Sequence, residues 1–308
     1  MKRQILIQAT TAGRSRKIEM KHWLAAFRLK TLPLALGAII LGSSLHELSF
    51  DFYIFLFATL TAIFLQILSN LANDYGDFVK GTDRHRKDRQ LSGGSISKEA
   101  MLIAIALFTL LALGTGLYLL HLSFADNWSY WFGFLGLGIA SIISAITYTV
   151  GKKAYGYNGL GDVFVFVFFG LIGVVGTAFL FNQMIEPAMW LSGTAYGCLC
   201  VGVLNVNNIR DLDKDVLTNK ITLASKLGKE GALSYQITLM TVAFLGFIGH
   251  HLSNSYYSLA PFAVLILGYV HITRLKNAKT ADDYNRQLKF LSLGSLVVVI
   301  LFLIKLFV

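Results

Sequence analysis

Apolar residues run through this chain in blocks too long and too uniform for the core of a soluble domain. Nine stretches stand out, at 22–45, 52–73, 99–121, 128–150, 160–181, 188–209, 232–252, 255–274 and 287–308. Each approaches the ~20 residues an α-helix needs to cross the hydrocarbon core of a bilayer. A spanning segment must satisfy its own backbone hydrogen bonds, so the pattern predicts helices. The expected architecture is all-α, a polytopic membrane protein. Polar residues collect between the blocks. The two longest connections, Phe78 to Lys98 and Leu212 to Gly231, are basic and placed to act as lids or as solvated connectors.

The basic residues set an orientation. The segment up to Lys30 and the connections 78–98, 151–159, 210–231 and 274–289 hold 26 of the 27 Lys and Arg residues, leaving Lys305. The alternate connections, near His46, His121, Asn182 and Ser253, hold none. The positive-inside rule therefore puts the N-terminus and every basic connection in the cytoplasm, and nine spans put the C-terminus outside. The net charge of +10 belongs to that membrane face, next to anionic headgroups, and does not indicate a nucleic-acid partner. Residues 1–21 read as a basic cytoplasmic arm without the apolar core of a secretory signal, and residues 22–308 as one transmembrane domain. Cys198 and Cys200 fall inside an apolar block and read as small core residues, not as a disulfide framework or a zinc site. The histidines at 46, 121, 250 and 251 fall at external ends of spans, away from any acidic group that would make a metal or haem site.

Carboxylates beside membrane-length apolar runs are costly unless something compensates them. This chain has two such groups. Asn70, Asp74 and Asp77 follow i, i+4, i+7 spacing, and Asn207, Asp211 and Asp215 follow i, i+4, i+8, so each set shares one helix face. Acids held that close repel unless a cation lies among them. An all-oxygen donor set of this kind suits Mg²⁺, which takes one or two carboxylates, water and substrate phosphate. Both groups end blocks that run in the same direction, consistent with a parallel duplication of a four-helix unit plus a ninth helix. The bland alternative for the acids is helix capping at the membrane boundary.

Four segments resemble the UbiA superfamily of intramembrane prenyltransferases, in order along nearly the whole chain. They are Trp23 to Pro33, with Arg28 before Lys30-Thr31-Leu32-Pro33; Asn73 to Asp83; Tyr148 to Gly151 followed by Tyr157 to Asp162; and Asn207 to Asp215 with Lys220-Ile-Thr222 and Leu227-Gly228. The closest similarity is to the branch that prenylates 1,4-dihydroxy-2-naphthoate. The resemblance implies nine transmembrane helices around a lipid-open central cavity, and Mg²⁺ ions holding a polyprenyl diphosphate. Carried over by position, Asp74 and Asp77 would hold one Mg²⁺ with Asn70 and Asn73 assisting, and Asp211 and Asp215 a second with Asn207 or Asn208. Tyr148 and Lys152 have the family's Tyr-x-x-x-Lys spacing, in which both face the diphosphate, and Lys220 is a further phosphate-binding candidate. Lys152 and Lys153 can equally be charges that only set topology.

Arg28 and Lys30 are placed either to bind substrate carboxylate or phosphate or to snorkel to headgroups. Arg210 neighbours Asp211 in sequence, but on a helix it points about 100° away and supports the site from behind. Asp162 opens the fifth block as a helix N-terminal charge or a site residue. Two departures stand out: Asn219 precedes Lys220 where the family commonly has Gly, and Val150-Gly151-Lys152-Lys153 replaces Gly-Gly-Pro. The implied reaction transfers the prenyl group to the dihydroxynaphthoate with loss of CO₂ and diphosphate, at the cytoplasmic face of a cell inner membrane. Another aromatic acceptor such as 4-hydroxybenzoate is the nearest alternative, and a transporter is the alternative from another class. Mid-span carboxylates would favour transport, whereas these lie at block ends.

The charge partition yields a test of topology. Single cysteines near Asn127 and Ser253 should react with an impermeant thiol reagent added outside, and cysteines near Asp83 and Lys220 should not. External labelling near Asp83 would overturn the cytoplasmic site.

Overall fold

The computed structural model describes residues 20–45, 50–83, 89–151, 154–254 and 257–306. The regular structure of the described residues is helical, apart from a two-residue ladder pairing Tyr257–Ser258 with Lys305–Leu306 and a single bridge between Asn158 and Ile221. The helices are α1 (Met20–Ser44), α2 (Phe52–Lys80), α3 (Lys98–Phe124), α4 (Trp128–Thr147) and α5 (Gly161–Asn182). They continue as α6 (Pro187–Arg210), the short α7 (Leu212–Leu217), α8 (Leu223–Leu252), α9 (Ala260–Lys276) and α10 (Ala281–Leu303). Eight of them are long and apolar enough to cross a membrane. The block expected at 255–274 is α9, whose 17 residues fall short of that measure.

Local chemistry explains several helix ends. The Asp51 side chain accepts from the amides of Tyr53 and Ile54 to start α2, which stops at Gly81 in the left-handed region (φ 75°). Ser97 and Asn127 start α3 and α4 in the same way, and capping boxes at Thr222 and Thr280 start α8 and α10. These caps draw α8 and α10 further into the basic connections than hydropathy suggested. α2 likewise runs on to Lys80, so the first acidic group lies within its last turns rather than at its end.

Two helices are irregular where they line the interior. α1 breaks at a 3₁₀ turn, Leu29–Thr31, with Arg28 at φ 50°. Pro33 lies in the first turn of the resumed helix, where its missing N–H costs nothing and its ring excludes an upstream helical neighbour. The middle of α5, Phe166–Gly176, winds as a π-helix. Such windings are rare and concentrate at functional sites.

α6 is the axis of the fold. It packs against α5, α8 and α10, and Tyr196, Leu199 and Val206 on it are fully buried. The Tyr196 hydroxyl donates to the Leu34 carbonyl at 2.8 Å, joining α6 to α1. Asn205, Gln236, His271 and Gln287 form a buried hydrogen-bonded chain across α6, α8, α9 and α10. α2, α3 and α4 make a second, looser group, in which α4 has no buried residue. Large apolar side chains such as Ile103, Leu110 and Ile143 lie exposed on α3 and α4, as lipid contact requires. Where α4 meets α5 at the end remote from the acids, Phe134 stacks on Phe179 (5.5 Å, 9°) beside Phe124 and Tyr130.

Close approach of α5 to α6 depends on glycine. A Cβ at Gly170 would lie 2.5 Å from the Gly193 carbonyl and 2.9 Å from Gly197 Cα, both backbone atoms that cannot swing aside. Gly170→Leu should therefore lower the melting temperature of the purified protein in detergent by many degrees. Gly136→Ala, with nothing within 4 Å, should barely move it. Equal melting of the two variants would contradict the packing described.

Candidate active site

The two helix groups enclose a cavity of about 540 Å³. Its wall is apolar over the membrane interior, with Ala38, Ile39, Leu120, Ile142, Phe168 and Ile172 among the lining residues. Thirteen of the described residues that the sequence marked for chemistry line this one cavity: Arg28, Lys30, Asn70, Asn73, Asp74, Asp77, Tyr148, Asn207, Asn208, Arg210, Asp211, Asp215 and Lys220. Lys152 lies outside the described residues. Asp162 is buried at the start of α5 but does not line the cavity.

The first acidic group is buried, with Asp74 and Asp77 both under 5% exposed. The Asp74 Oδ2 accepts from the Leu91 amide at 3.4 Å, which folds the 78–98 connection back over the site. Its Oδ1 has no hydrogen-bond partner. Asp77 accepts from the Tyr157 hydroxyl at 2.6 Å and lies 3.8 Å from the Arg89 guanidinium. Asn70 donates to the Phe27 carbonyl at 2.9 Å, and Asn73 accepts from Arg28, so α2 and the break in α1 hold each other in place. The left-handed backbone at Arg28 turns that side chain into the site, a strained geometry of the kind that gathers at functional positions.

The second group departs from the continuous helix that its spacing suggested. α6 ends at Arg210, Asp211 leaves the helix (φ −95°, ψ 7°), and Asp215 sits on α7. The Asp215 amide still donates to the Asp211 carbonyl at 2.8 Å, so the two acids remain one turn apart. The expectation that Arg210 points away from Asp211 is wrong. Its Nε and Nη2 grip the Asp211 carboxylate at 2.9 and 2.6 Å, and it also donates to Asn207 and Asn285. The 100° rule applies within a helix; here the helix ends between the two residues and the long guanidinium curls back. Burial pushes the Asp215 carboxyl up to about 6, opposed by the Lys220 ammonium 3.8 Å away. Its Oδ2 has no hydrogen-bond partner.

Three residues that sequence reasoning missed complete the electrostatics. Asp83, 1% exposed, accepts from Lys214 at 2.5 Å and lies 3.1 Å from Arg89 Nε. Asp83 and Arg89 come from the first long connection and Lys214 from α7, so this triad joins the two candidate lids across the cavity mouth. The only available signal was that both connections are polar and adjoin the acids. Tyr148 is fixed by close packing: a Cβ at Gly156 would meet its carbonyl and ring at 2.7–2.9 Å. Among the described residues no three His, Cys, Asp or Glu side chains converge into a ready-made metal cage. The arrangement is instead an open oxygen-rich mouth, with Asp74 Oδ1 and Asp215 Oδ2 lacking donors, above an apolar chamber.

The family comparison then decides the class. The model of the UbiA prenyltransferase family matches residues 31–294. The chain belongs to the UbiA prenyltransferase family. It is 41% identical over 245 residues to 1,4-dihydroxy-2-naphthoate octaprenyltransferase of Haemophilus influenzae, covering 76% of this chain and 79% of that one. It is 45% identical over 223 residues to the Escherichia coli protein of the same name, covering 71% and 72%. Solved structures share the fold at low identity. The apo structure of a UbiA homologue from Aeropyrum pernix has a TM-score of 0.65 at 16% identity over 89% of this chain and 94% of that one. A UbiA homologue from Archaeoglobus fulgidus bound to GPP and Mg²⁺ has a TM-score of 0.59 at 15% identity over 90% and 99%.

The structure also accounts for one of the departures from the family pattern. Asn219, standing where glycine is common, has φ 53°, and Asn is the non-glycine residue that tolerates that region best. Asn219→Gly should leave thermal stability unchanged. Asn219→Val should lower the melting temperature by a few degrees, since a β-branched residue there costs about 1–3 kcal/mol. A Val variant as stable as the parent would show that this backbone is not held left-handed.

Proposed function

We propose that this chain is a Mg²⁺-dependent prenyltransferase that moves a polyprenyl group from its diphosphate to 1,4-dihydroxy-2-naphthoate, releasing diphosphate and CO₂. The observation that carries the reading is convergence: two acidic groups from opposite halves of the chain line the polar mouth of one apolar cavity. The names of the Haemophilus and Escherichia relatives supply the acceptor, and the Archaeoglobus structure with GPP and Mg²⁺ supports the donor class and the ion.

The residues present fit the ion. Asp74 Oδ1 and Asp215 Oδ2 are buried carboxylate oxygens without donors, and the surrounding set is all oxygen. Asp74 and Asp77, with Asn70 and Asn73, would hold one Mg²⁺; Asp211 and Asp215, with Asn207 or Asn208, the other. Bound there, the ions neutralise the diphosphate and make it a competent leaving group. Lys220 and Arg28 add fixed positive charge at the mouth, Lys30 adds charge at its rim, and Arg210 holds Asp211 in place. Tyr148 lines the cavity beside the departing diphosphate, and the sequence pattern alone assigns Lys152 to the same role.

The chain's own contribution is to place charge and exclude water. The donor's tail lies along the apolar wall and its head reaches the polar mouth. The allylic C1–O bond breaks with its electron pair going to the diphosphate. The electron-rich ring attacks C1 through its carboxyl-bearing carbon. The carboxylate then leaves as CO₂, and its bonding pair restores the aromatic ring, giving a demethylmenaquinol. In this reading the chain lies in the cell inner membrane with the site facing the cytoplasm. α9 is the remaining span, residues 1–21 are a basic arm, and residues 22–308 form the catalytic domain.

Asp74→Ala, Asp77→Ala, Asp211→Ala and Asp215→Ala should each cut turnover by at least about 10²-fold, as loss of a main electrostatic element does. Asp126→Ala, at the α3–α4 turn, should change it little. The assay is product mass from radiolabelled prenyl diphosphate against a panel of aromatic acceptors, with and without Mg²⁺. Near-parental turnover in both Asp74→Ala and Asp211→Ala would remove the proposal, and a preference for another acceptor would replace the naphthoate.

A further inference from the structure

The connection between α4 and α5 carries one aromatic side chain that reaches both acidic groups. Tyr157 closes a 3₁₀ turn, Tyr155–Tyr157, and is followed by Gly159 in the left-handed region. Its hydroxyl donates to Asp77 Oδ1 at 2.6 Å and lies 3.0 Å from Thr82 Oγ1. Two ammonium groups lie over its ring, Lys80 Nζ at 3.8 Å and Lys220 Nζ at 5.3 Å from the centroid. Its carbonyl accepts from the Ile221 amide at 3.1 Å, which pins the chain beside Lys220. Lys220 in turn lies 3.8 Å from Asp215. One residue thus touches the first acidic group through its hydroxyl and the second through a lysine on its ring.

These contacts have distinct physical effects. A hydroxyl bond to one carboxylate oxygen is charge-assisted and fixes the rotation of the group, which sets where the other oxygen points. Groups that orient ligating carboxylates in this way tune metal affinity without touching the metal. The aromatic face attracts Lys80 and Lys220 together although they repel each other, and so keeps Lys220 beside Asp215 instead of in solvent. Tyr155, its neighbour, does neither: its hydroxyl donates to the Ser144 carbonyl and its ring stacks on Phe164.

We infer that Tyr157 is a positioning residue that aligns Asp77 through its hydroxyl and holds Lys220 at the diphosphate through its ring, coupling the two halves of the site. The inference rests on the function proposed above and adds a residue with a divided role to it. Tyr157→Phe removes the hydroxyl and keeps the ring face, whereas Tyr157→Leu removes both.

The test uses the full-length protein in nanodiscs and an unreactive prenyl thiolodiphosphate, with binding followed calorimetrically while Mg²⁺ is titrated. Tyr157→Phe should raise the half-saturating Mg²⁺ concentration by about 10–100-fold, with donor affinity at saturating Mg²⁺ close to that of the parent. Tyr157→Leu should show the same Mg²⁺ shift and also bind donor more weakly at saturating Mg²⁺, by roughly threefold or more. A Tyr157→Phe protein that titrates like the parent overturns the inference, and so does one whose melting temperature falls while its Mg²⁺ midpoint stays put. If Tyr157→Leu fails to fold, the phenylalanine variant decides alone. If the parent protein shows no Mg²⁺-dependent donor binding, the proposed function fails and not this assignment.

Discussion

The structure depends on how five carboxylates are tolerated at the edge of a hydrocarbon phase. Asp74, Asp77, Asp83, Asp211 and Asp215 all line one cavity mouth, and four of them are under 5% exposed. Burying such charge without partners costs several kcal/mol per group. The chain meets that cost with cations from the two long connections and the end of α6: Arg89 and Lys214 on Asp83, Arg210 on Asp211, Lys220 on Asp215. Through Arg89 and Lys214, the described parts of both connections meet Asp83 over the mouth. The acids are usable because Asp74 Oδ1 and Asp215 Oδ2 remain without donors.

The rest of the fold provides a rigid support on one side and a compliant wall on the other. α6 is buried along its length, tied to α1 through Tyr196 and to α8, α9 and α10 through the Asn205 chain, so Asp211 projects from the stiffest element. α3 and α4 are exposed helices whose apolar faces suit lipid. A cavity of about 540 Å³ is small for a long prenyl chain together with an aromatic acceptor. The compliant side is therefore where a tail would remain in contact with the bilayer. The π-helical middle of α5 shapes this wall, and the Phe134–Phe179 stack closes its far end.

Much of this was legible in the sequence because it follows from strong, local physics. Membrane-length apolar blocks forced helices, and acids at helical spacing beside them marked the site; thirteen described candidates line the cavity and Asp162 does not. What was not legible depended on chain reversals. Arg210 was misjudged because helical geometry was extended one residue past the end of α6. The roles of Asp83, Arg89, Lys214 and Tyr157 arise only when connections distant in sequence fold over the same mouth, and no spacing rule reports that. The left-handed backbone at Asn219 explains its departure from the family pattern only after the fact. The π-helix in α5 has no periodic signature, since an all-round apolar segment has no face to show.

In the proposed function one diphosphate is held between both acidic groups. Diffraction from crystals grown with Mn²⁺ and an unreactive prenyl thiolodiphosphate tests it directly, because Mn²⁺ scatters anomalously. The account predicts anomalous peaks beside Asp74 and Asp77 and beside Asp211 and Asp215, flanking a single diphosphate at the cavity mouth. Diphosphate density away from these residues, or metal at one group with the other left out of contact, would contradict it.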